Sequence, residues 1–127
     1  MIKDFLIISF TGKDDKIGLR INNSFFAHNF QNKTQNNEIL VKIILNLTEK
    51  HKVNINKDFT ILVNNGPGSF SAIRIALAVA KGIVISTNSK LFGFKNENLA
   101  EFNRVNIEDL LNKSLVEKNL IKPLYLS

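Results

Sequence analysis

The sequence predicts an α/β domain built on a mixed five-stranded sheet, three antiparallel strands followed by two parallel ones, with helices flanking it. Three observations carry that prediction. Phe5-Leu6-Ile7-Ile8-Ser9-Phe10 is a nearly continuous apolar run of strand length, as suits a strand covered on both faces. Two further strand-like runs, Lys16 to Ile21 and Ser24 to Phe30, are separated by Asn22-Asn23, a dipeptide suited to a two-residue hairpin turn. After residue 37 helical spacing alternates with short β-rich runs, the pattern of strand–helix–strand crossovers. With 127 residues and 44% apolar content, the chain has enough material for one domain with a real core and too little for two ordinary ones.

Taken in order, the first strand belongs at the centre of the sheet. Thr11-Gly12-Lys13-Asp14-Asp15 is a turn cluster, and the next two strands complete an antiparallel meander. Gln31 to Asn37 is polar and Asn-rich, a loop in which Thr34 or Asn36 caps a helix running from about Asn37 to His51. Ile39, Leu40, Ile43, Ile44 and Leu47 give that helix a wide apolar face. Phe59 to Val63 is the fourth strand, and a second helix spans Ala72 to about Ile85. Leu91 to Phe94 is the fifth strand. Asn96 or Asn98 then caps a brief helix around Leu99, Ala100 and Phe102, and Asn106 caps another from Ile107 to Lys118. Leu120 to Leu126 is an apolar tail, expected to dock rather than float free.

The second helix departs from the pattern of a surface helix. Ile73, Ile75, Leu77, Val79, Ile83, Val84 and Ile85 cover nearly its whole circumference, with Arg74 and Lys81 its only charges. A helix apolar all round is covered on more than one side, and a domain this small has little left to cover the second side. Ala72, Ala76 and Ala80 lie four apart and form a small-residue stripe for another helix to approach. Gly82 costs about 1 kcal/mol against Ala inside a helix, which asks for a packing reason.

The loop feeding this helix is Asn64-Asn65-Gly66-Pro67-Gly68-Ser69-Phe70-Ser71. Its residues suit a rigid strand-to-helix connection, with Ser69 or Ser71 as the cap. They also suit an anion site at a helix start. The pattern is neither GxxxxGK[ST] nor GxGxxG.

Composition narrows the function classes. The absence of Cys removes disulfides, thiolate nucleophiles and Cys-based metal sites together, and His28 and His51 are isolated in the sequence. His28 is expected on the outer face of its strand. No catalytic set, metal ligand set or cofactor is assigned. A formal charge of +6 invites a nucleic-acid reading, yet the Lys residues are scattered and Asn, Ile and Lys are abundant together, a coding bias. Any contribution to RNA binding is auxiliary. No apolar run is read as approaching the ~18 residues of a membrane span, and no signal-peptide pattern is seen, so the expectation is a cytoplasmic protein without a membrane partner.

The order β-β-β-α-β-α-β-α, with right-handed crossovers, describes a single ribonuclease H-like unit, the half-domain of the actin-like ATPases. Nucleases on this fold need clustered acids, and no Asp or Glu falls between Phe5 and Phe10.

Gly66-Pro67-Gly68-Ser69-Phe70-Ser71-Ala72-Ile73-Arg74-Ile75-Ala76, continuing to Ala80-Lys81-Gly82, resembles the signature of the TsaB family, also called YeaZ. That signature runs Gly-Pro-Gly-Ser-Phe-Thr-Gly, an aliphatic residue, Arg, Ile and Gly, with an Ala-Lys-Gly further on. The resemblance implies a non-catalytic scaffold that pairs with the TsaD transferase, works with the TsaE ATPase, and serves formation of threonylcarbamoyladenosine in tRNAs reading codons that begin with A. It implies pairing through the two helices of this half, with self-pairing through the same surface. By position the interface residues are Leu40, Ile43, Ile44, Leu47, Ala72, Ile75, Ala76, Val79, Ala80 and Ile83, and the signature loop is Gly66 to Ser71 with Arg74.

Two departures from the family pattern stand out. The first strand ends Ser9-Phe10-Thr11 where the family has Asp-Thr-Ser. Family members also carry a second domain of similar topology, whereas residues 1–127 read as one N-terminal-like domain with 120–127 resembling the family's C-terminal end. The alternative reading is a small nucleotide- or phosphate-binding protein of actin-like fold that uses the Gly66 to Ser71 loop.

Overall fold

The computed structural model describes residues 4–30 and 37–118. The expected caps Thr34 and Asn36 and the tail from Leu120 lie outside the described residues. The chain runs β1 (Phe5–Ser9), β2 (Lys16–Ile21), β3 (Ser24–Asn29), α1 (Asn37–Lys50), β4 (Thr60–Asn64), α2 (Phe70–Thr87), β5 (Lys90–Phe94), a 3-10 turn (Asn96–Asn98), α3 (Arg104–Asn112) and β6 (Glu117–Lys118). The sheet order is β3-β2-β1-β4-β5-β6. β1, β2 and β3 pair antiparallel, while β1 to β4 and β4 to β5 pair parallel. The mixed sheet is therefore as expected, with β1 inside it.

A sixth strand extends the sheet. β6 pairs antiparallel with β5, setting Phe92 opposite Lys118 and Gly93 opposite Glu117. The sequence reading placed residues 117 and 118 at the end of a helix. The structure starts that helix earlier, because Asn103 Oδ1 accepts the Asn106 N–H at 2.9 Å and α3 begins at Arg104, and ends it at Asn112, where Lys113 leaves helical geometry. Ser114, at φ 55°, then turns the chain back toward the sheet. The brief helix expected around Leu99 to Phe102 is also absent, and the 3-10 turn at Asn96–Asn98 precedes that position. The Asn22-Asn23 hairpin forms as expected, both residues adopting positive φ, 49° and 68°.

Strand alternation divides the core between two faces. Leu6 and Ile8 of β1, with Ile61 and Val63 of β4, meet α1 and α2 on one side. Phe5 and Ile7, with Leu62 and Phe94, meet Ile107 and Leu110 of α3 on the other. Arg20 helps to hold α3 there: its guanidinium bonds Glu108 at 2.9 Å and Asp4 at 3.0 Å. His28 is half-buried with its ring edge-on to Phe30, and His51 stacks on Phe26, so the expected outer-face placement of His28 is not met.

The expectation about membrane spans needs amendment. α2 has 18 residues and is long and apolar enough to cross a membrane by length and composition. Its Ala72, Ile73, Ala76, Leu77 and Ala80 are buried in this domain, as in the core helix of a globular fold.

Candidate functional site

The signature loop is held from both sides. Asn64, fully buried at the end of β4, donates through Nδ2 to Ser9 Oγ and to Asn96 Oδ1, each at 3.1 Å, so one amide ties β1, β4 and the segment after β5 together. Its Oδ1 accepts the Gly66 N–H at 2.9 Å. Gly66 takes φ 109°, a conformation that favours glycine, and the Gly66-Pro67 peptide is cis. Gly68 presses against the β1 end, where an added Cβ would lie 2.6 Å from the Thr11 carbonyl oxygen. Ser69 N–H donates to that same oxygen at 2.9 Å. Ser69, rather than Ser71, is the cap: its Oγ accepts the Ala72 N–H at 3.3 Å, which starts α2 at Phe70. The loop thus fixes where α2 begins and in which direction it leaves the sheet.

α2 then crosses the sheet beside α1, and the structure sorts its apolar residues into two sets. Ala72, Ala76 and Ala80 are fully buried within this domain. The small-residue stripe, assigned from the sequence to a partner, therefore faces the domain's own core, where short side chains let α2 lie close to β4 and β1. Leu40 of α1 is fully buried in the same cluster, and Ile44 is buried there too, with only its edge reaching the surface. Ile43, Leu47, Ile75, Val79 and Ile83 are half-buried at its margin.

The outward face has a different composition. Val41 and Leu45 of α1 are 39% and 53% exposed, and Phe70 and Ile85 of α2 are 57% and 84% exposed. Between the helices runs an apolar groove of about 270 Å³ lined by Val41, Ile44, Leu45, Val79, Gly82, Ile83 and Ser86. An ideal Cβ on Gly82 meets nothing within 4 Å among the described residues. Its neighbour one turn back on this face is Ala78, also exposed. The outward small-residue pair is thus Ala78 and Gly82, two positions out of phase with the predicted stripe. Toward the start of α2 the face continues into a hollow lined by Phe70, Ser71, Arg74, Ile75 and Ala78, with the Arg74 guanidinium 4.9 Å from the Phe70 ring centre.

The sequence reading does not place Val41, Leu45, Ala78 and Ile85 on an outward face, where the structure exposes them. A signal was present, since Val41 and Leu45 lie four apart and interrupt the polar side of α1, but the broad apolar stripe beside them concealed it.

A second feature lies at the C-terminal ends of the parallel strands. A cleft of about 370 Å³ is lined by Ser9, Thr11, Lys13, Asp14, Lys16, Pro67, Gly68 and the Asn96 to Phe102 segment. Lys16 Nζ stands 5.8 Å from the Phe102 ring centre. Among the described residues, no three His, Asp or Glu side chains come together as a metal-ligand group.

Residues 31–99, more than half of the chain, match the family model described as TsaD: tRNA N6-adenosine threonylcarbamoyltransferase. Over 63 residues the chain is 41% identical to the tRNA threonylcarbamoyladenosine biosynthesis protein TsaB of Buchnera aphidicola subsp. Baizongia pistaciae, a match covering 48% of this chain and 28% of that protein. The fold is similar to YeaZ from Pseudomonas aeruginosa, with TM-score 0.68 and 18% identity over 78% of this chain and 46% of that one. A second solved structure, titled as an uncharacterized protein with similarity to peptidase YEAZ from Pseudomonas aeruginosa, matches at the same TM-score and covers 45% of that chain. At this identity the two structures show a shared fold. The chain spans less than a third of the curated relative and under half of either solved structure.

Proposed function

The chain belongs to the family of that model, on its TsaB (YeaZ) side, and from that premise we propose that it is a non-catalytic scaffold subunit in formation of threonylcarbamoyladenosine in tRNA. Its work is to pair with a TsaD-like transferase through the outward faces of α1 and α2. In the assembly a TsaE-like ATPase joins the pair, and tRNAs reading codons that begin with A are modified by the transferase in the cytoplasm. The chain itself meets tRNA weakly or only through its partner.

The observation that carries this reading is Gly82. A glycine inside a helix costs about 1 kcal/mol relative to Ala. Among the described residues nothing lies close enough to Gly82 to require the missing side chain. A helix from outside, packed against Ala78 and Gly82 and flanked by Val41, Leu45 and Val79, supplies the reason. Those apolar flanks are also what a partner would remove from water.

The test is co-purification with the TsaD-like protein of the same organism, read by size and mass. Leu45→Lys changes a side chain that is 53% exposed. It is expected to leave the melting temperature of the isolated chain within a degree or two and to abolish pairing. Unchanged pairing would remove α1 and α2 from the interface. Size measurement of the free chain distinguishes a monomer from self-pairing through the same face, and Leu45→Lys should disperse the latter.

The cleft beneath the signature loop supports a second reading, a small phosphate- or nucleotide-binding protein, because Lys13 and Lys16 line it beside Phe102. Against it, the Ser69 amide is already bonded to Thr11 and the Ala72 amide to Ser69. Calorimetric titration with ATP, ADP and pyrophosphate is expected to give no binding heat. A saturable heat would favour the second reading.

A further inference from the structure

The turn from Thr11 to Asp15 joins β1 to β2, and the pairing function makes no direct use of it. Its backbone coils through two left-handed residues, Gly12 at φ 99° and Asp14 at φ 53°. The coil turns two successive amides toward one point. That point is filled by a single oxygen, Oδ1 of Asp15, 2.9 Å from both the Thr11 and the Gly12 nitrogen. Asp15 is only 6% exposed, while Thr11, Lys13 and Asp14 of the same turn line the cleft. Successive amides converging in this way make a concavity suited to anions. The connection runs on from there: the Thr11 carbonyl accepts the Ser69 N–H, and Ser69 caps α2.

We propose that this turn is an oxyanion-binding nest whose ligand is the protein's own Asp15 carboxylate, and that Asp15, acting through Thr11, positions the start of α2. A carboxylate offers only acceptors, and its bonds to amides are charge-assisted, so one oxygen satisfies both donors. While Asp15 fills the nest, a phosphate in the cleft finds these two amides already taken. Emptied of Asp15, the nest has two inward amides of fixed geometry without their acceptor, which an external carboxylate or phosphate oxygen would meet. The positioning half of the proposal rests on α2 being the partner-facing helix; the nest itself does not, and its test uses the isolated chain alone.

The full chain is melted in sodium chloride, sodium formate and inorganic phosphate at equal ionic strength, with the wild-type shifts as the baseline for general salt effects. Asp15→Ala is expected to melt lower than wild type in chloride and to gain, in formate or phosphate, an upward shift beyond that of wild type. Asp15→Asn keeps an amide oxygen at the same position. It is expected to melt between the other two and to show no additional shift. A merely structural loss at Asp15→Ala would lower the melting temperature without anion selectivity, and that result overturns the proposal. So does an unchanged melting temperature, or a variant that stays unfolded in all three salts.

Discussion

Replacing Gly82 by Ala should make the isolated domain more stable, and the magnitude follows from one local fact. Gly82 lies inside α2, where Ala is favoured over Gly by about 0.5–1 kcal/mol because the unfolded chain has less freedom to lose. The full gain is expected, since the added Cβ meets none of the described residues within 4 Å and so neither strains the core nor fills a hole in it. For a chain of this size that is an upward shift of about 2–5 °C in melting temperature. Circular dichroism melts and urea titrations measure it, and the urea slope should stay the same because the surface exposed on unfolding hardly changes. The same site responds oppositely in the complex. Gly82→Leu should also leave the isolated chain folded, yet its side chain would stand in the groove beside Val79 and Ile83 and hold an incoming helix away. Pairing should weaken by at least tenfold, a loss of about 1.4 kcal/mol. A destabilised Gly82→Ala would mean that the face is already packed in the free chain. Undiminished pairing by Gly82→Leu would mean that no helix approaches there.

Two further substitutions separate fold from function. Ala76→Arg should prevent folding, because Ala76 is fully buried between α2 and the sheet and a guanidinium there has neither room nor a charge partner, a penalty above about 4 kcal/mol. Loss of pairing by that variant would accompany loss of the far-ultraviolet helical signal and would say nothing of the interface; a folded, unpaired Ala76→Arg would contradict the inward assignment of the stripe. Gly68→Ala should cost about 1–3 kcal/mol, because its Cβ would lie 2.6 Å from the Thr11 carbonyl oxygen and 2.7 Å from the Thr11 Cβ, and backbone must shift to admit it. A urea midpoint equal to wild type would show that the loop is not seated on β1 in this way.

Much of the fold was legible because strands and turns carry local signals. The apolar run of β1, the Asn22-Asn23 turn and the strand–helix alternation after residue 37 each fix an element without reference to the others. The sequence misleads or stays undecided where two local signals compete within a few residues. Asn103 and Asn106 are both good caps for α3, and Ser69 and Ser71, two residues apart, are both open as the cap of α2. The choice between each pair is made by what the neighbouring backbone contacts: Thr11 takes the Ser69 amide, and Asn103 reaches the Asn106 amide. β6 is only two residues long, Glu117–Lys118, and both are charged, so no hydrophobic period announces it. Its strand character comes from pairing with β5, a long-range fact.

The exposed face of α1 and α2 shows a deeper reason for illegibility. An amphipathic helix declares its inward side, since polar residues mark the other side. α2 has no such mark, because its apolar residues encircle it and Arg74 and Lys81 stand apart. Its existence was therefore plain while its rotation about its own axis was not. The sequence offers two small-residue series, Ala72, Ala76 and Ala80 on one side and Ala78 with Gly82 on another, and regularity alone points to the first as the partner's. The sheet decides otherwise for a physical reason. Close packing on β1 and β4 favours Ala, which keeps helix propensity while letting the backbone approach. Glycine adds nothing on that side and costs stability. Gly82 sits instead where the described residues leave open space, and on the proposed pairing that placement makes the outward face the one where a partner backbone can come closest. For a helix apolar on every side, the costly residue rather than the regular stripe is the better guide to the surface kept for another molecule.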